Sequence, residues 1–303
     1  MYESIFNKSR YNQNNSKKVK RDQKIMKNLC IACGIFVAIV VFSIIGYVGN
    51  QGIKVFKDVS VIHFFTSGNW NPQNGEFGAY AFIRGTLILT FLSVLIGGTL
   101  GVACAVFMAK IAPKRFRNIL RYAVELFVGI PSVVYGFIGL TIIVPFIRGI
   151  FPDSTGFGFL PAAIILGIMI LPTIINISED SIRAVDNTLE EGSYAMGATR
   201  WQTLIKIVLP SAMPGISSGI ILGMARALGE TMAVLMVIGN APQITNSLVT
   251  PTTVLTTGIV MDMGNTAFGQ TWSNALFMMA TLLLLISLVL IVVVRVVSKR
   301  RFA

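Results

Sequence analysis

The sequence predicts an all-α polytopic membrane protein with six membrane-spanning helices, and three observations carry that reading. Of 303 residues, 54% are hydrophobic and 13% charged, with a mean hydropathy of +0.73, more apolar than a soluble domain of this size. Six apolar runs are each long enough to cross about 30 Å of hydrocarbon. The basic residues alternate between these runs, twenty on one side and four on the other. Such asymmetry orients a membrane protein, so both termini are placed in the cytoplasm. The net charge of +12 is then explained by topology and calls for no nucleic-acid partner.

Residues 1–28 are a basic tail with eight Lys and Arg among many polar residues. It has too little apolar surface to form a core and is expected to be disordered, with its lysines near anionic lipid headgroups. Residues 29–85 comprise the first spanning helix and an external segment. Leu29–Gly49 is the first span, uncharged over 21 residues. It is too long for a signal-peptide core, and no A-x-A-like cleavage site follows. Cys30 and Cys33 lie inside it with the spacing of a redox pair, but a reactive thiol needs an electropositive, accessible setting. They read as small apolar residues. With His63 the only histidine, a histidine-rich metal site is excluded.

Asn50–Gly85 is external. Asn71-Pro72 and Asn74-Gly75 are turn signals. Phe64, Phe65, Trp70, Phe77 and Tyr80 suit a membrane interface, a cover over the helix bundle, or an extracytoplasmic partner.

Residues 86–297 form the transmembrane core, and 298–303 a basic cytoplasmic end. The spans expected in the core are Thr86–Ala109, Ala123–Ile147, Phe157–Ser178, Ile216–Gly239 and Asn274–Val294. Gly97, Gly98, Gly101 and Ala105 in the second span, and Gly215, Gly219, Gly223 and Ala227 in the fifth, allow helix backbones to approach closely in lipid. Pro131, Pro161 and Pro172 predict kinks or broken turns. Asn240–Ser273 has no Lys or Arg and reads as an external loop with a short helix against the bundle.

Membrane-embedded charge concentrates at Arg226 and Glu230. Four residues apart on one helix, they would share a face. An arginine near mid-span costs roughly 2.5–3.5 kcal/mol on insertion scales, so it should face the bundle or water and be paired. Glu230 is the expected partner. The pair is either a structural ion pair or the lining of an anion pathway, since a guanidinium fork matches the oxygens of phosphate or carboxylate. Arg84, at the external mouth of the second span, either draws anions inward or rests among headgroups. Glu125 with Arg121 reads as an interfacial pair. No G-x-x-x-x-G-K-[ST] phosphate loop occurs, and no catalytic dyad, triad or metal cluster is apparent. The chain is expected to be non-catalytic and to bind no cofactor itself.

The longest polar interruption of the second half, Asn187–Pro210, has the pattern of a helix, a turn and a second helix. Asn187-Thr188 is a start signal, with Glu190 and Glu191 where a helix dipole favours negative charge. Gly197 offers an end. Trp201, Leu204, Ile205 and Val208 form a second apolar stripe, which Pro210 and Pro214 are expected to close. From pattern alone this is either a plug presented to another protein or an amphipathic loop on the bilayer surface.

Glu191, Gly192-Ser193, Gly197 and Ile207-Val208-Leu209-Pro210 match in spacing the cytoplasmic signature loop of ABC-importer permeases, with Glu-Gly-Ser replacing the usual Glu-Ala-Ala. The segments FFTSGNWNP, EFGAYAFIRGTL, ELFVGIPSVVYGF and ARALGETMAVLMVIGN extend the resemblance to the first permease subunit of phosphate-specific ABC transporters, through nearly the whole chain beyond residue 28.

The resemblance implies a type I importer permease fold in the cytoplasmic membrane of a bacterium or archaeon. Its loop would carry a coupling helix held by a separate ATPase, with Glu190, Glu191, Gly192, Ser193, Ala195, Gly197, Ala198, Ile207, Leu209 and Pro210 at that contact. It further implies a second phosphate permease, a pair of ATP-binding subunits that use ATP and Mg, and an extracytoplasmic phosphate-binding protein. Arg226 and Glu230 would serve phosphate passage. Arg84 departs from the uncharged residue expected at its place. The same loop would serve a permease for another oxyanion, sulfate or molybdate, whereas a secondary anion transporter would have no use for it.

Overall fold

A computed structural model describes residues 23–296. The expected disordered tail over residues 1–22 and the basic C-terminal end lie outside the described residues; residues 23–28 are helical. The chain divides into two units, residues 1–50 and 51–303. The first contains most of α1 (Gln23–Lys57), the first apolar run extended at both ends. Ile35, Phe36 and Phe42 stand exposed along it, as suits a helix that meets lipid.

The second unit is built from five further helices long and apolar enough to cross a membrane. They are α3 (Tyr80–Ile111), α5 (Ser132–Ile150), α6 (Phe159–Arg183), α8 (Arg200–Gly229) and α11 (Thr271–Val296). Shorter helices join them. α2 (Val61–Thr66) leads into a two-stranded ribbon of β1 (Trp70–Asn71) and β2 (Glu76–Phe77) in antiparallel register. α4 (Lys114–Gly129) precedes α5, and α7 (Asn187–Ala195) precedes α8. α9 (Met232–Val237) and α10 (Leu255–Met263) lie between α8 and α11.

Helix α6 is the centre of the unit, and glycine is what lets its neighbours come close. A methyl group added to Gly101 of α3 would stand 2.9 Å from Ile174 Cγ2, and one added to Gly223 of α8 would stand 2.8 Å from Ile174 Cγ1. Ile174 is fully buried, so one side chain fills the gap on both sides of α6. This is the close approach that small residues permit in lipid, where no hydrophobic effect drives helices together.

The prolines divide by context. Pro161 falls in the first turn of α6, where an amide donor is not needed. Pro172 lies inside α6 without interrupting it. Only Pro131 breaks a span. Ile130 before it is extended, with φ −75° and ψ 126°, as the proline ring requires. The third span is therefore not Ala123–Ile147. Residues 123–129 belong to amphipathic α4, and the span proper begins at Ser132.

The fifth span is also corrected. The helix begins at Arg200, runs unbroken through Pro210 and Pro214, and stops at Gly229. Pro210 does not close the preceding helix because a π turn over Leu204–Val208 comes first, in which the Leu209 amide reaches back to the Leu204 carbonyl. Prolines placed at the start of a new α register are tolerated.

Of the aromatics between residues 50 and 85, Phe64, Phe65, Trp70 and Phe77 pack onto the bundle, whereas Tyr80 is exposed. Phe64 and Phe77 are buried, and Trp70 meets Phe77 and Phe82 edge-on at 5.6 and 5.1 Å. They join a core with Leu255, Leu276 and Met279. Two indoles, Trp70 at 2.7 Å and Trp272 at 3.3 Å, donate to the Asp262 carboxylate. The expected short helix of the 240–273 segment is α10, whose Leu255 and Thr257 are fully buried.

Candidate functional site

Arg226 occupies the last turn of α8. The helix carbonyls there carry a partial negative charge that favours a cation, which offsets part of the cost of embedding it. It is half-buried. Its Nη1 donates to Thr173 Oγ1 of α6 at 3.5 Å. The guanidinium is thus directed toward α6, at the end of a helix rather than at mid-span.

Glu230 is not its partner. It lies beyond the end of α8 in extended conformation, with φ −71° and ψ 131°. Residues four apart share a face only on a continuous helix. Glu230 Oε1 instead accepts from the Ala233 amide at 3.3 Å, capping α9, as a carboxylate does at a helix N-terminus. The exposed backbone of the break is satisfied by Thr256, whose hydroxyl donates to the Glu230 carbonyl at 3.1 Å. Irregular backbone at membrane depth is tolerated where protein supplies such donors.

Arg84 is half-buried and donates to Asn246 Oδ1 of the external loop at 2.6 Å. Among the described contacts nothing joins it to Arg226. Arg121 is 3.6 Å from Glu125, and 4.0 Å from Asp180 of α6. This pair belongs to α4 and does not open a span.

Helix α7 and the start of α8 form a braced hairpin. The N-cap is Asp186, one residue earlier than expected, accepting from the Thr188 amide at 2.9 Å. That bond, first from the backbone amide, holds the Asp186 carboxyl below the usual carboxylate range. Gly197 ends the helix in the left-handed region, with φ +80°, a conformation costly for any side chain. Thr199 and Gln202 form a capping box at the start of α8. Ser193 and Thr203 hydroxyls bond at 2.9 Å across the hairpin, and Lys110 of α3 pairs with Glu190.

Glu191, Gly192, Ala195 and Pro210 are exposed, while Ser193, Ala198, Ile207 and Leu209 are half-buried. Leu189, Tyr194, Met196 and Trp201 present apolar surface, Met196 at 88% exposure and Trp201 at 65%. Beside them opens a cavity of about 550 Å³ lined by Lys110, Glu190, Tyr194, Arg200, Trp201 and Leu204. Large exposed apolar groups clustered around a charged cleft mark an interaction face.

One functional candidate went unseen in the sequence. Glu179 is 1% exposed and pairs with Arg183 one turn on. A span ending at Ser178 puts Glu179 in the loop, but α6 continues to Arg183. The Glu-x-x-x-Arg spacing was the available signal. Gly219 of α8 faces Ser178 there, at 3.3 Å from an added methyl group, so the pair lies where α6 hands over to α7.

The family described as binding-protein-dependent transport system inner membrane component matches residues 97–303. A Bacillus subtilis protein named probable ABC transporter permease protein YqgH is 44% identical over 89% of this chain and 89% of its own. A Mesorhizobium japonicum protein named phosphate transport system permease protein PstC is 36% identical over 78% of each. In fold, the chain is similar to a bacterial ABC transporter involved in import of the acidic polysaccharide alginate. The TM-score is 0.63 and identity 19%, over 94% of this chain and 98% of the other. An inward-facing form of the methionine transporter MetNI matches with a TM-score of 0.53 and 24% identity, covering 72% and 92%. These two structural likenesses bear on fold alone.

Proposed function

This chain belongs to the family of binding-protein-dependent transport system inner membrane components and is a permease subunit of an ABC importer; on that premise, we propose that its cargo is inorganic phosphate. The observation that carries the proposal is the likeness, over most of the chain, to proteins named as phosphate transport permeases in bacteria and in an archaeon. The placement of Arg226 at the end of α8, against Thr173 of α6, supports it. A planar guanidinium whose hydroxyl partner is held at a long 3.5 Å can exchange that contact for an oxyanion. A pathway site must release what it binds, so a lone arginine suits passage better than a closed cage.

In the proposed cycle, a docked extracytoplasmic binding protein releases phosphate into the bundle. Arg226 meets it partway. A separate pair of ATP-binding subunits, which use ATP and Mg, grips the α7 hairpin from the cytoplasm, where both termini also lie. A second permease completes the pathway. Nucleotide binding and hydrolysis move the hairpin, and the bundle alternates its access. Glu230 holds the break beyond α8 rather than acting as a displaced counter-charge, and Arg84 keeps the external loop against the mouth.

The test is phosphate uptake and ATP turnover by the assembled complex in lipid vesicles. Arg226→Gln should abolish uptake while assembly persists, and normal uptake by that variant refutes the pathway role. Stimulation of ATP turnover by sulfate or molybdate, and not by phosphate, would assign the permease to another oxyanion.

A further inference from the structure

Helix α6 carries a polar seam on a face that its neighbours cover at one end only. Met169, Thr173, Asn176 and Asp180 follow one another at three- or four-residue steps, which places them on one side of the helix. Met169 is 2% exposed and packs with Tyr135 of α5 and Ala233 of α9. Beyond it the seam opens: Thr173 and Asn176 are half-buried and Asp180 is exposed. At a rise of about 1.5 Å per residue, Thr173 lies roughly 15 Å and Asn176 roughly 10 Å from the Arg183 end of the helix, at membrane depth. Arg226 Nη1 reaches the seam at Thr173 Oγ1, 3.5 Å away, and Arg121 of α4 reaches it at Asp180, 4.0 Å away. Among the described residues, no hydrogen bond engages the Asn176 side chain. An amide left without a partner in an apolar helix is costly, and polar groups inside membrane spans mark substrate paths.

We infer that this open seam is the inner limb of the cargo pathway, and that the side-chain amide of Asn176 donates to the oxyanion as its next contact after Arg226. The inference rests on the pathway reading of Arg226 given above. At Thr173 the anion meets a guanidinium, which offers a charge and a planar fork of donors. One turn on, Asn176 offers two amide hydrogens and no charge. A conducting path needs sites strong enough to enter and weak enough to leave. Asn176 supplies donors to an anion departing the guanidinium, which would otherwise be stripped of its contacts against an apolar wall. At the hairpin end the Asp180 carboxylate discourages return, and Arg121 at 4.0 Å offsets enough of its charge to leave the exit open. The amide holds no other part of the chain, so cargo is what it is there to meet.

The test uses the assembled complex in lipid vesicles, with binding protein and inorganic phosphate. Asn176→Leu keeps the size of the side chain and removes both donors. Phosphate uptake should fall about 10-fold, on the scale of one hydrogen bond to a charged group. Asn176→Ser keeps a donor and should retain about half of the uptake or more. Wild-type uptake by Asn176→Leu overturns the inference, as does an equal loss in the two variants. Asn176→Cys, in a chain whose Cys30, Cys33 and Cys104 are replaced by serine, gives a second reading. It should react with a membrane-impermeant thiol reagent, and uptake should then drop to the Asn176→Leu level. A thiol that reacts only after denaturation, or whose modification leaves uptake intact, overturns the inference. This measurement decides alone if Asn176→Leu does not assemble. The parent reading fails separately: normal uptake by Arg226→Gln sinks the pathway, whereas an inactive Arg226→Gln beside normal uptake by Asn176→Leu sinks only the inner limb.

Discussion

The carboxylate of Glu230 accepts from the amide of Ala233 at 3.3 Å, beyond the end of the helix that carries Arg226. Two charges four residues apart in an apolar stretch are separated by a helix end, and each is satisfied differently. It follows that exchanging them, Arg226→Glu with Glu230→Arg, restores no more phosphate uptake than Arg226→Glu alone. Glu230→Ala should lower complex stability by about 1 kcal/mol, the usual worth of a helix cap, read by thermal denaturation of the complex in detergent. Restored uptake in the exchanged variant would show that the two side chains do pair.

The contact between Lys110 and Glu190 ties α3 to the hairpin helix. Both side chains are about one-fifth exposed, so solvent screening is partial, and a double-mutant cycle should give a coupling of about 1 kcal/mol. Lys110→Glu and Glu190→Lys should each reduce phosphate-stimulated ATP turnover, and the combined exchange should recover it. Equal loss in the single and double variants would remove the pair from the transmission route.

Trp201 and Met196 expose apolar surface beside the 550 Å³ cavity. In the proposed complex the ATPase covers them. Trp201→Ala should weaken retention of the ATP-binding subunits at least 10-fold, since buried tryptophans are common anchors of interfaces. Membrane insertion should be unchanged. Co-purification titrated against salt and detergent measures this, and full retention would place the docking face elsewhere.

The Asp186 cap makes the start of α7 sensitive to acid. Its carboxyl is lowered in the folded state by the Thr188 amide. A lowered folded value means the contribution is fully present above the ordinary carboxylate pKa of about 3.9. It is lost as pH falls through the lowered value. Protection of the Thr188 amide from hydrogen exchange, corrected for the intrinsic rate, should decline over that range in the native protein. In Asp186→Asn, whose amide oxygen still accepts but does not titrate, protection should be flat with pH.

At the packing centre, Gly223→Val and Gly101→Val each force a branched side chain against Ile174, which already fills both gaps. Overpacking of this kind typically costs 1–3 kcal/mol. Pairing either with Ile174→Ala should recover part of the loss. Thermal stability of the complex is the measurement, and an unchanged midpoint for both glycine variants would contradict the close approach.

Spans and hairpin were legible in the sequence because their causes are local. Apolar length decides where the chain enters the membrane, and the placement of Lys and Arg between runs orients it. Gly197 ends the hairpin helix because its φ of +80° suits a residue without Cβ. The start of that helix was misplaced by one residue because Asp186, Asn187 and Thr188 are all competent caps, and only the bond to Thr188 distinguishes them.

What the sequence alone determined was thus the membrane class, the six runs and the helix-turn-helix between residues 187 and 210. What only the tertiary structure decided was where the runs break and which groups meet there. Pro131 and Pro172 are the same residue in similarly apolar surroundings, yet one interrupts its span and the other is carried inside an unbroken helix. The fifth run stops at Gly229, where the Glu230 carbonyl finds its donor in Thr256, 26 residues away. A break in a membrane helix survives only if distant groups satisfy the freed backbone. Those groups, Thr256 for one break and, for the other, the Tyr135 hydroxyl that donates to the Phe127 carbonyl at 2.8 Å, have no signature in the stretch that breaks.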